Sequence, residues 1–210
     1  MAETIYFVME IIGTVAFSIS GAVVGIRKKM DILGVITLGV TTAVGGGVIR
    51  DLILGATPPA AFRNPVYLLL ASAVSVIVFI PAVRSSITRD PRSRIIDGLL
   101  LLMDSVGLGV FTVVGVKAGC NAANEFNFFL LVFVGVVTGV GGGVMRDLFA
   151  QEPPYIFHKH FYASASIIGA VVCVSLWNFA GEFAAMLIGL VCVTALRLAA
   201  AKFRWSLPKA

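Results

Sequence analysis

The octapeptide Gly45-Gly46-Gly47-Val48-Ile49-Arg50-Asp51-Leu52 recurs 96 residues later as Gly141-Gly142-Gly143-Val144-Met145-Arg146-Asp147-Leu148. The two copies differ at one position, and each closes a long apolar stretch. A Pro-Pro pair follows each copy, at Pro58-Pro59 and Pro153-Pro154. Because the same charged pair accompanies both glycine triplets, the repetition indicates a duplicated structural unit rather than two unrelated glycine runs.

The sequence around these motifs is too apolar for a soluble domain. Of the 210 residues, 59% are hydrophobic and 13% are charged, whereas soluble domains carry about 25% charged residues. The charges are concentrated in short connectors, and several apolar stretches reach the roughly 20 residues that span a bilayer as a helix. The composition therefore predicts an all-α integral membrane protein.

Apolar stretches between charged connectors predict seven transmembrane helices. The predicted spans are 4–26, 32–55, 65–83, 95–116, 126–149, 161–178 and 182–201. Thirteen of the 16 Lys and Arg residues fall on one side, with Arg146 assigned to the connector between spans 5 and 6 and Arg197 to the tail. The positive-inside rule then predicts an N-terminus outside the cell and a cytoplasmic C-terminus.

The repeat extends beyond the octapeptide. Gly13 and Phe17 match Gly107 and Phe111 at a spacing of 94 residues, and Tyr67 matches Tyr162 at a spacing of 95. We therefore predict a first three-helix repeat at 1–88, a second at 89–179, and a seventh helix with a cytoplasmic tail at 180–210. A unit of three spans reverses its direction when it is repeated, so the two halves are predicted to have inverted topology, as in many transport proteins.

The glycine triplets in spans 2 and 5 are the first candidate functional residues. Glycine weakens a helix and leaves its backbone carbonyls uncovered, which a membrane helix tolerates only against protein or a water-filled cavity. The triplets predict kinks in two helices that line a pathway. Close helix packing, for which small residues are standard, is the alternative. The candidate residues are Gly45, Gly46, Gly47, Gly141, Gly142 and Gly143.

Charged residues inside the spans are the second candidate set. Arg50-Asp51 and Arg146-Asp147 follow the triplets within apolar sequence, where ionisable groups usually face a cavity and have a partner. Interfacial snorkelling of the arginines is the alternative. Glu10 and Asp104 occupy equivalent positions early in spans 1 and 4. The inverted topology brings Glu10 to the level of Arg50 and Asp104 to the level of Arg146, so we expect two symmetry-related acid–arginine pairs.

Hydroxyl side chains within the spans form a third set. They are equally compatible with ion contacts and with hydrogen bonds to their own helix backbone. The sequence contains no nucleophile–base arrangement, phosphate loop, redox pair or metal-ligand spacing, so we expect neither an enzyme nor a bound metal or cofactor. The candidate pore hydroxyls are Ser18, Ser20, Thr42, Thr112 and Thr138.

Taken together, seven spans, inverted repeats and the doubled Gly-Gly-Gly-Val-x-Arg-Asp-Leu block resemble the prokaryotic trimeric intracellular cation (TRIC) channel family. The same family is also labelled as glycine transporters. The resemblance implies a homotrimer in the prokaryotic inner membrane, surrounded by lipid, with no nucleic acid or soluble partner. It also implies one pore in each protomer, lined by kinked spans 2 and 5, that passes K⁺ and possibly Na⁺.

The same architecture leaves two other readings open. A secondary transporter of glycine or another small amino acid would use inverted repeats and a half-helix N-terminus to hold a carboxylate. A purely structural membrane protein would not need duplicated charges inside the membrane. We therefore expect a passive cation channel, with selectivity supplied by carbonyls and hydroxyls, and keep the transporter as the alternative.

Overall fold

The computed structural model describes residues 2–89, 93–122, 126–158 and 161–205, and these form helices joined by short turns. No strand occurs in these ranges, so the prediction of an all-α fold is confirmed. The end of the predicted tail, 206–210, lies outside the described residues. In chain order the helices are α1 (Ala2–Arg27), α2 (Ile32–Ile53), α3 (Ala60–Arg63), α4 (Val66–Phe79), α5 (Pro81–Arg89), α6 (Arg94–Ala122), α7 (Phe128–Phe149), α8 (Tyr155–His158), α9 (Tyr162–Ala180) and α10 (Glu182–Phe203).

Six of these helices are long and apolar enough to cross a membrane, namely α1, α2, α6, α7, α9 and α10. The α4–α5 pair, bent by 66°, makes the seventh span if it is counted as one. The sequence predicted a continuous third span ending at residue 83, and this end is wrong because α4 stops at Phe79. Ile80 is extended, with ψ of 138°, since a residue before proline avoids the helical conformation.

Equivalent residues begin the two motif-bearing helices. Asp31 precedes α2 and accepts a hydrogen bond from the Gly34 amide at 2.7 Å. Asn127 precedes α7 and accepts one from the Leu130 amide at 3.0 Å. Each side chain satisfies a backbone N–H that the helix leaves free. The duplication therefore includes the helix starts, at the same spacing of 96 residues as the motif.

The two repeats meet along a line through the centre of the bundle. Helix α1 packs on α6, and α2 packs on α7. The rings of Phe17 and Phe111, which are equivalent positions, lie 5.3 Å apart between centroids, and both are buried. Contact between equivalent residues marks the pseudo-two-fold axis. The seventh helix, α10, packs mainly on α9 and α6 of the second repeat.

The glycine triplets do not interrupt their helices. Helix α2 runs unbroken through residues 45–47, and α7 runs unbroken through 141–143. The helical hydrogen bonding therefore continues through both triplets. A bend of the helix axis at these positions stays a prediction.

Two buried charged clusters at the ends of the repeat interface

Each repeat assembles a cluster of charged and aromatic side chains near one end of the bundle. We call Glu10, Arg50, Asp51 and Tyr67 the first-repeat cluster, which lies at the end where α1 begins. We call Asp104, Arg146, Asp147 and Tyr162 the second-repeat cluster, which lies at the opposite end. The members correspond one to one at spacings of 94 to 96 residues. The helices that carry them are therefore equivalent too: α1 and α6, α2 and α7, and α4 and α9.

In the first-repeat cluster the arginine is held by its own neighbour. Arg50 donates from Nε to Oδ1 of Asp51 at 2.8 Å, and Oδ2 of Asp51 accepts from the Ala60 amide at 2.7 Å. Tyr67 donates its hydroxyl to Oε2 of Glu10. Arg50 and Asp51 are buried, whereas Glu10 and Tyr67 are half-buried. The carboxylate of Glu10 therefore keeps access to the space beside it.

That space is a cleft with about 390 Å³ of empty volume, which includes the open space at its mouth. Its polar lining consists of the four cluster residues and Thr14, and Gly47 of α2 also lines it. Two carboxylates face one guanidinium here, so the cavity carries a formal charge of −1 when all three are ionised. A small aqueous cavity of negative charge raises the local concentration of cations.

In the second-repeat cluster the same side chains are more tightly enclosed. Arg146 again donates from Nε to its neighbour Asp147, at 2.9 Å, and Asp147 accepts from the Tyr155 amide at 2.8 Å. Arg146 also donates from Nη1 to Oδ1 of Asp104 and to Oγ of Ser20, both at 2.6 Å. The side chains of Arg146 and Asp104 are 0% and 1% exposed. No part of this ion pair reaches open space.

The expected acid–arginine pairs form in one repeat only. Asp104 and Arg146 make the predicted pair. Among the described residues, no Lys or Arg nitrogen lies within 4.0 Å of a carboxylate oxygen of Glu10, so the predicted Glu10–Arg50 ion pair is absent. The physical reason is competition: Tyr67 holds the Glu10 carboxylate, while Asp51 holds Arg50. Both residues nevertheless line the same cavity.

Most of the candidate pore hydroxyls bond within the helix bundle. Thr42 and Thr138 each donate to the carbonyl four residues earlier at 2.6 Å. Ser18 donates to the Ala71 carbonyl at 2.7 Å, and Thr112 lies 2.7 Å from the hydroxyl of Ser166 and also donates to its own helix. All are buried. Ser20 differs, because it contacts Arg146 of the second-repeat cluster.

The middle glycines let α2 and α7 cross in backbone contact. A Cβ at Gly46 would lie 3.2 Å from the Gly142 amide nitrogen, and one at Gly142 would overlap the Thr42 carbonyl oxygen. A Cβ at Gly141 would lie 3.0 Å from Cα of Gly46. Close packing, the alternative reading of the triplets, therefore accounts for these three glycines. Gly47 is different, since a Cβ there would meet nothing nearer than 3.7 Å.

Sequence reasoning missed two buried cations. Lys117 was assigned to a connector, yet it is 3% exposed within α6 and its Nζ lies 2.6 Å from Oε1 of Glu182. Arg197 was assigned to the tail, yet it is 2% exposed within α10 and contacts Asp104. Arg146, assigned to a connector, is also buried. Each lies within or directly beside an apolar stretch, which is the signal that distinguishes such residues from loop charges.

Sequence comparison finds proteins similar to this chain. A sequence model of a family described as glycine transporter matches residues 7–82 and 101–178. The inner membrane protein YadS of Escherichia coli (strain K12) is 38% identical over 202 residues, which cover 95% of this chain and 93% of that protein. The matched segments coincide with the two three-helix repeats, leaving α10 outside both.

Solved structures identify the family of the chain more specifically. The TRIC channel orthologue from Rhodobacter sphaeroides is 33% identical, with a TM-score of 0.85 over 96% of this chain and 100% of that chain. The chain belongs to the prokaryotic TRIC family. A second TRIC cation channel structure is 36% identical, with a TM-score of 0.82 over 97% of this chain and 96% of that chain. The TRIC fold thus accounts for nearly the whole chain.

Proposed function

We propose that this protein is a passive channel for monovalent cations, with a preference for K⁺. The observation that carries the proposal is the cavity of the first-repeat cluster, where Glu10 and Asp51 outnumber Arg50 and Glu10 faces the open space. An excess of carboxylate in a small vestibule attracts cations and excludes anions. Similarity over nearly the full chain to TRIC cation channels supports the same function.

The proposed path runs from this cavity along the interface between the repeats. It passes the crossing of α2 and α7 and the ring pair Phe17–Phe111, and it ends at the second-repeat cluster. Because the rings and the second-repeat cluster are buried, this conformation is closed on that side. Conduction requires these groups to separate. We propose that α1 begins outside the cell, which makes the open cavity extracellular.

We further propose that the protein forms a homotrimer with one pathway in each protomer. The relative from Rhodobacter sphaeroides is described as a trimeric intracellular cation channel, and the residues that form the proposed path come from one chain. Large apolar side chains remain exposed along α1, α4 and α7, among them Phe7, Leu69 and Phe133. These surfaces are available to lipid or to neighbouring protomers.

Transport of glycine or another small amino acid is the second candidate. The specific observation in its favour is that the cavity presents a guanidinium and two carboxylates together. These groups match the carboxylate and ammonium groups of a zwitterion. The family description as glycine transporter points the same way. A carrier would need the cavity to become accessible from each side in turn.

Recording from purified protein in planar bilayers under a KCl gradient tests the channel. We expect unitary currents that reverse near the K⁺ equilibrium potential. The variant Glu10→Gln should lower the unitary current about two- to five-fold at low salt, and less at high salt, because screening weakens the vestibule field. Asp97→Asn is the matched control, since Asp97 is an exposed carboxylate paired with Arg27 at the other end of the bundle.

Two results would overturn the channel proposal. The first is the absence of unitary currents together with uptake of radiolabelled glycine into proteoliposomes, which would establish the carrier. The second is a current that Glu10→Gln and Asp97→Asn change equally, because the vestibule would then have no special role. An unchanged reversal potential on addition of glycine is expected for a channel.

A further inference from the structure

The seventh helix contributes an arginine to the second-repeat cluster. Arg197 is 2% exposed, and its Nη2 lies 3.5 Å from Oδ2 of Asp104. Its guanidinium stands over the ring of Tyr162 at 4.7 Å from the centroid. A carboxylate at one side and an aromatic face at the other form a cradle suited to a flat monovalent cation. Here the chain itself supplies the cation.

The first repeat carries the equivalent acid and ring, but it has no equivalent of Arg197. Its acid is Glu10 and its ring is Tyr67, the equivalents of Asp104 and Tyr162. Helix α10 lies outside the duplication, so no equivalent helix brings a cation to Glu10, and the Tyr67 hydroxyl takes the carboxylate instead. The duplicated unit therefore places an acid and a tyrosine at equivalent positions in both halves, and in the second half Arg197 stands over the ring.

The charges of the two clusters support this comparison. The first-repeat cluster has two carboxylates and one arginine, which leaves a formal charge of −1. The second-repeat cluster has the same three groups, Asp104, Asp147 and Arg146, and Arg197 brings it to neutrality. A buried site of net charge is costly unless a counter-ion compensates it. Without Arg197, the second-repeat cluster would require an exogenous cation.

We propose that Asp104 and Tyr162 form a binding site for a monovalent, guanidinium-sized cation, and that Arg197 occupies this site as a tethered cation. The site follows from the internal comparison and does not depend on the proposed function. Its effect on current does rest on that function: Arg197 keeps the second-repeat end of the pathway closed, and conduction requires its guanidinium to leave Asp104. The tested ligand is the guanidinium ion itself.

Chemical rescue of Arg197→Ala tests the site directly. This variant removes the tethered guanidinium and leaves space of its size beside Asp104. We expect the midpoint of thermal unfolding in detergent to fall, and 10 mM guanidinium chloride to raise it again by about 2–4 °C relative to 10 mM choline chloride. The wild-type protein should show no such rise. Arg197→Lys, which keeps a cation on the same stem, should show little or none.

A second variant distinguishes binding of guanidinium at this site from a general stabilising effect of guanidinium on the protein. Arg197→Met fills the space with an uncharged chain, so guanidinium should not raise its unfolding midpoint. If Arg197→Ala is recovered folded only when guanidinium is present during purification, that result also supports the site. Equal shifts in Arg197→Ala, Arg197→Met and wild type, or no shift in Arg197→Ala, would overturn the proposal.

Recording in bilayers then tests the role of the arginine in closure. We expect Arg197→Ala to raise the open probability at least about five-fold over wild type, and guanidinium on the side of the second-repeat cluster to reverse the increase. Rescue of unfolding without any change in current would leave the site intact and refute closure by Arg197. Failure of wild type to conduct would contradict the proposed function without affecting the thermal test.

Discussion

The first-repeat and second-repeat clusters start from the same motif and end in different states. In both, an arginine bonds to the aspartate that follows it, and that aspartate accepts a backbone amide from the segment after the helix. The first cluster borders a cleft that is open on one side. The second is buried on all sides, with Arg146 fully covered. Identical local sequence therefore does not dictate identical access.

The difference arises from side chains outside the motif. Asp104 is one methylene shorter than Glu10 and pairs directly with Arg146, whereas Glu10 is held by Tyr67. Tyr162 is buried, whereas its equivalent Tyr67 is half-exposed. Arg197 comes from α10, which packs mainly on α6 and α9 of the second repeat. An unpaired seventh helix thus makes an inverted repeat asymmetric, leaving one end open and the other closed.

Neutralising Asp104 and Glu10 in turn should give the largest difference in stability between variants of the two clusters. Asp104→Asn leaves two buried guanidiniums with one fewer carboxylate, and we expect it to cost about 3–5 kcal/mol of stability. Glu10→Gln should cost less than about 1 kcal/mol, because Gln keeps an oxygen for the Tyr67 hydroxyl and the group borders a cavity. Thermal unfolding of the purified proteins in detergent measures both.

Similar costs for the two variants would contradict the assignment of open and closed clusters. The double variant Asp104→Asn with Arg197→Met sharpens the comparison, since it removes one charge of each sign. We expect it to recover part of the stability lost in Asp104→Asn, because the number of uncompensated buried charges falls. An additive loss in the double variant would indicate that Arg197 and Asp104 do not interact.

The third glycine of each triplet gives a matched pair with a smaller expected effect. A Cβ at Gly143 would overlap the Tyr162 hydroxyl, whereas one at Gly47 would meet nothing closer than Arg50 Nη2 at 3.7 Å. Gly143→Ala should therefore cost about 1–3 kcal/mol through overpacking. Gly47→Ala should be neutral or stabilising by up to about 1 kcal/mol, the difference in helix propensity.

Thermal unfolding of the two alanine variants decides this prediction. Gly46→Ala serves as a positive control. Gly46 contacts the backbone of α7, so a side chain at this position should destabilise the protein. If Gly47→Ala lowers the unfolding midpoint as much as Gly143→Ala does, the space beside Gly47 must be occupied in another conformation of the protein. A kink that forms on opening would have that effect, so the pair also tests the predicted bend.

Fold class and repeat structure were readable from the sequence because they depend on composition and spacing. Long apolar stretches predict spans, and an odd number of spans in each repeat requires inversion. The end of the third span was not predicted well, because Pro81 follows Ile80 within an apolar stretch and hydropathy does not register the bend. The helix starts at Asp31 and Asn127 follow ordinary capping chemistry.

Only part of the site could be predicted from the sequence. Which acid pairs with which arginine depends on distances between side chains, and the spacing of residues along the chain does not determine these distances. The sequence placed Glu10 near Arg50 and Asp104 near Arg146, but side-chain length and the tyrosines decide which pair forms. Charge counting assigned Arg197 to the tail and Lys117 to the connector after the fourth span, although both are buried. Their partners, Asp104 and Glu182, lie far away in sequence, so only the packed structure reveals them.

Substitution of the threonines at the centre of the repeat interface should have the smallest effect on stability. These threonines also allow a direct comparison of the two repeats. Thr42 and Thr138 are both buried, and both donate to the carbonyl four residues earlier at 2.6 Å. Their equivalent glycine neighbours, Gly21 and Gly115, leave room for the hydroxyls at similar distances, 2.6 and 2.5 Å from an added Cβ. The two halves are therefore alike at this level.

We expect Thr42→Val and Thr138→Val to cost about 0.5–1.5 kcal/mol each, the usual contribution of one hydrogen bond, and to differ by less than about 0.5 kcal/mol. Their unfolding midpoints, measured side by side, test this equality. A large difference would mean that the asymmetry of the clusters extends to the centre of the bundle. Equality would confine it to the two ends, where Tyr67, Tyr162 and Arg197 distinguish the repeats.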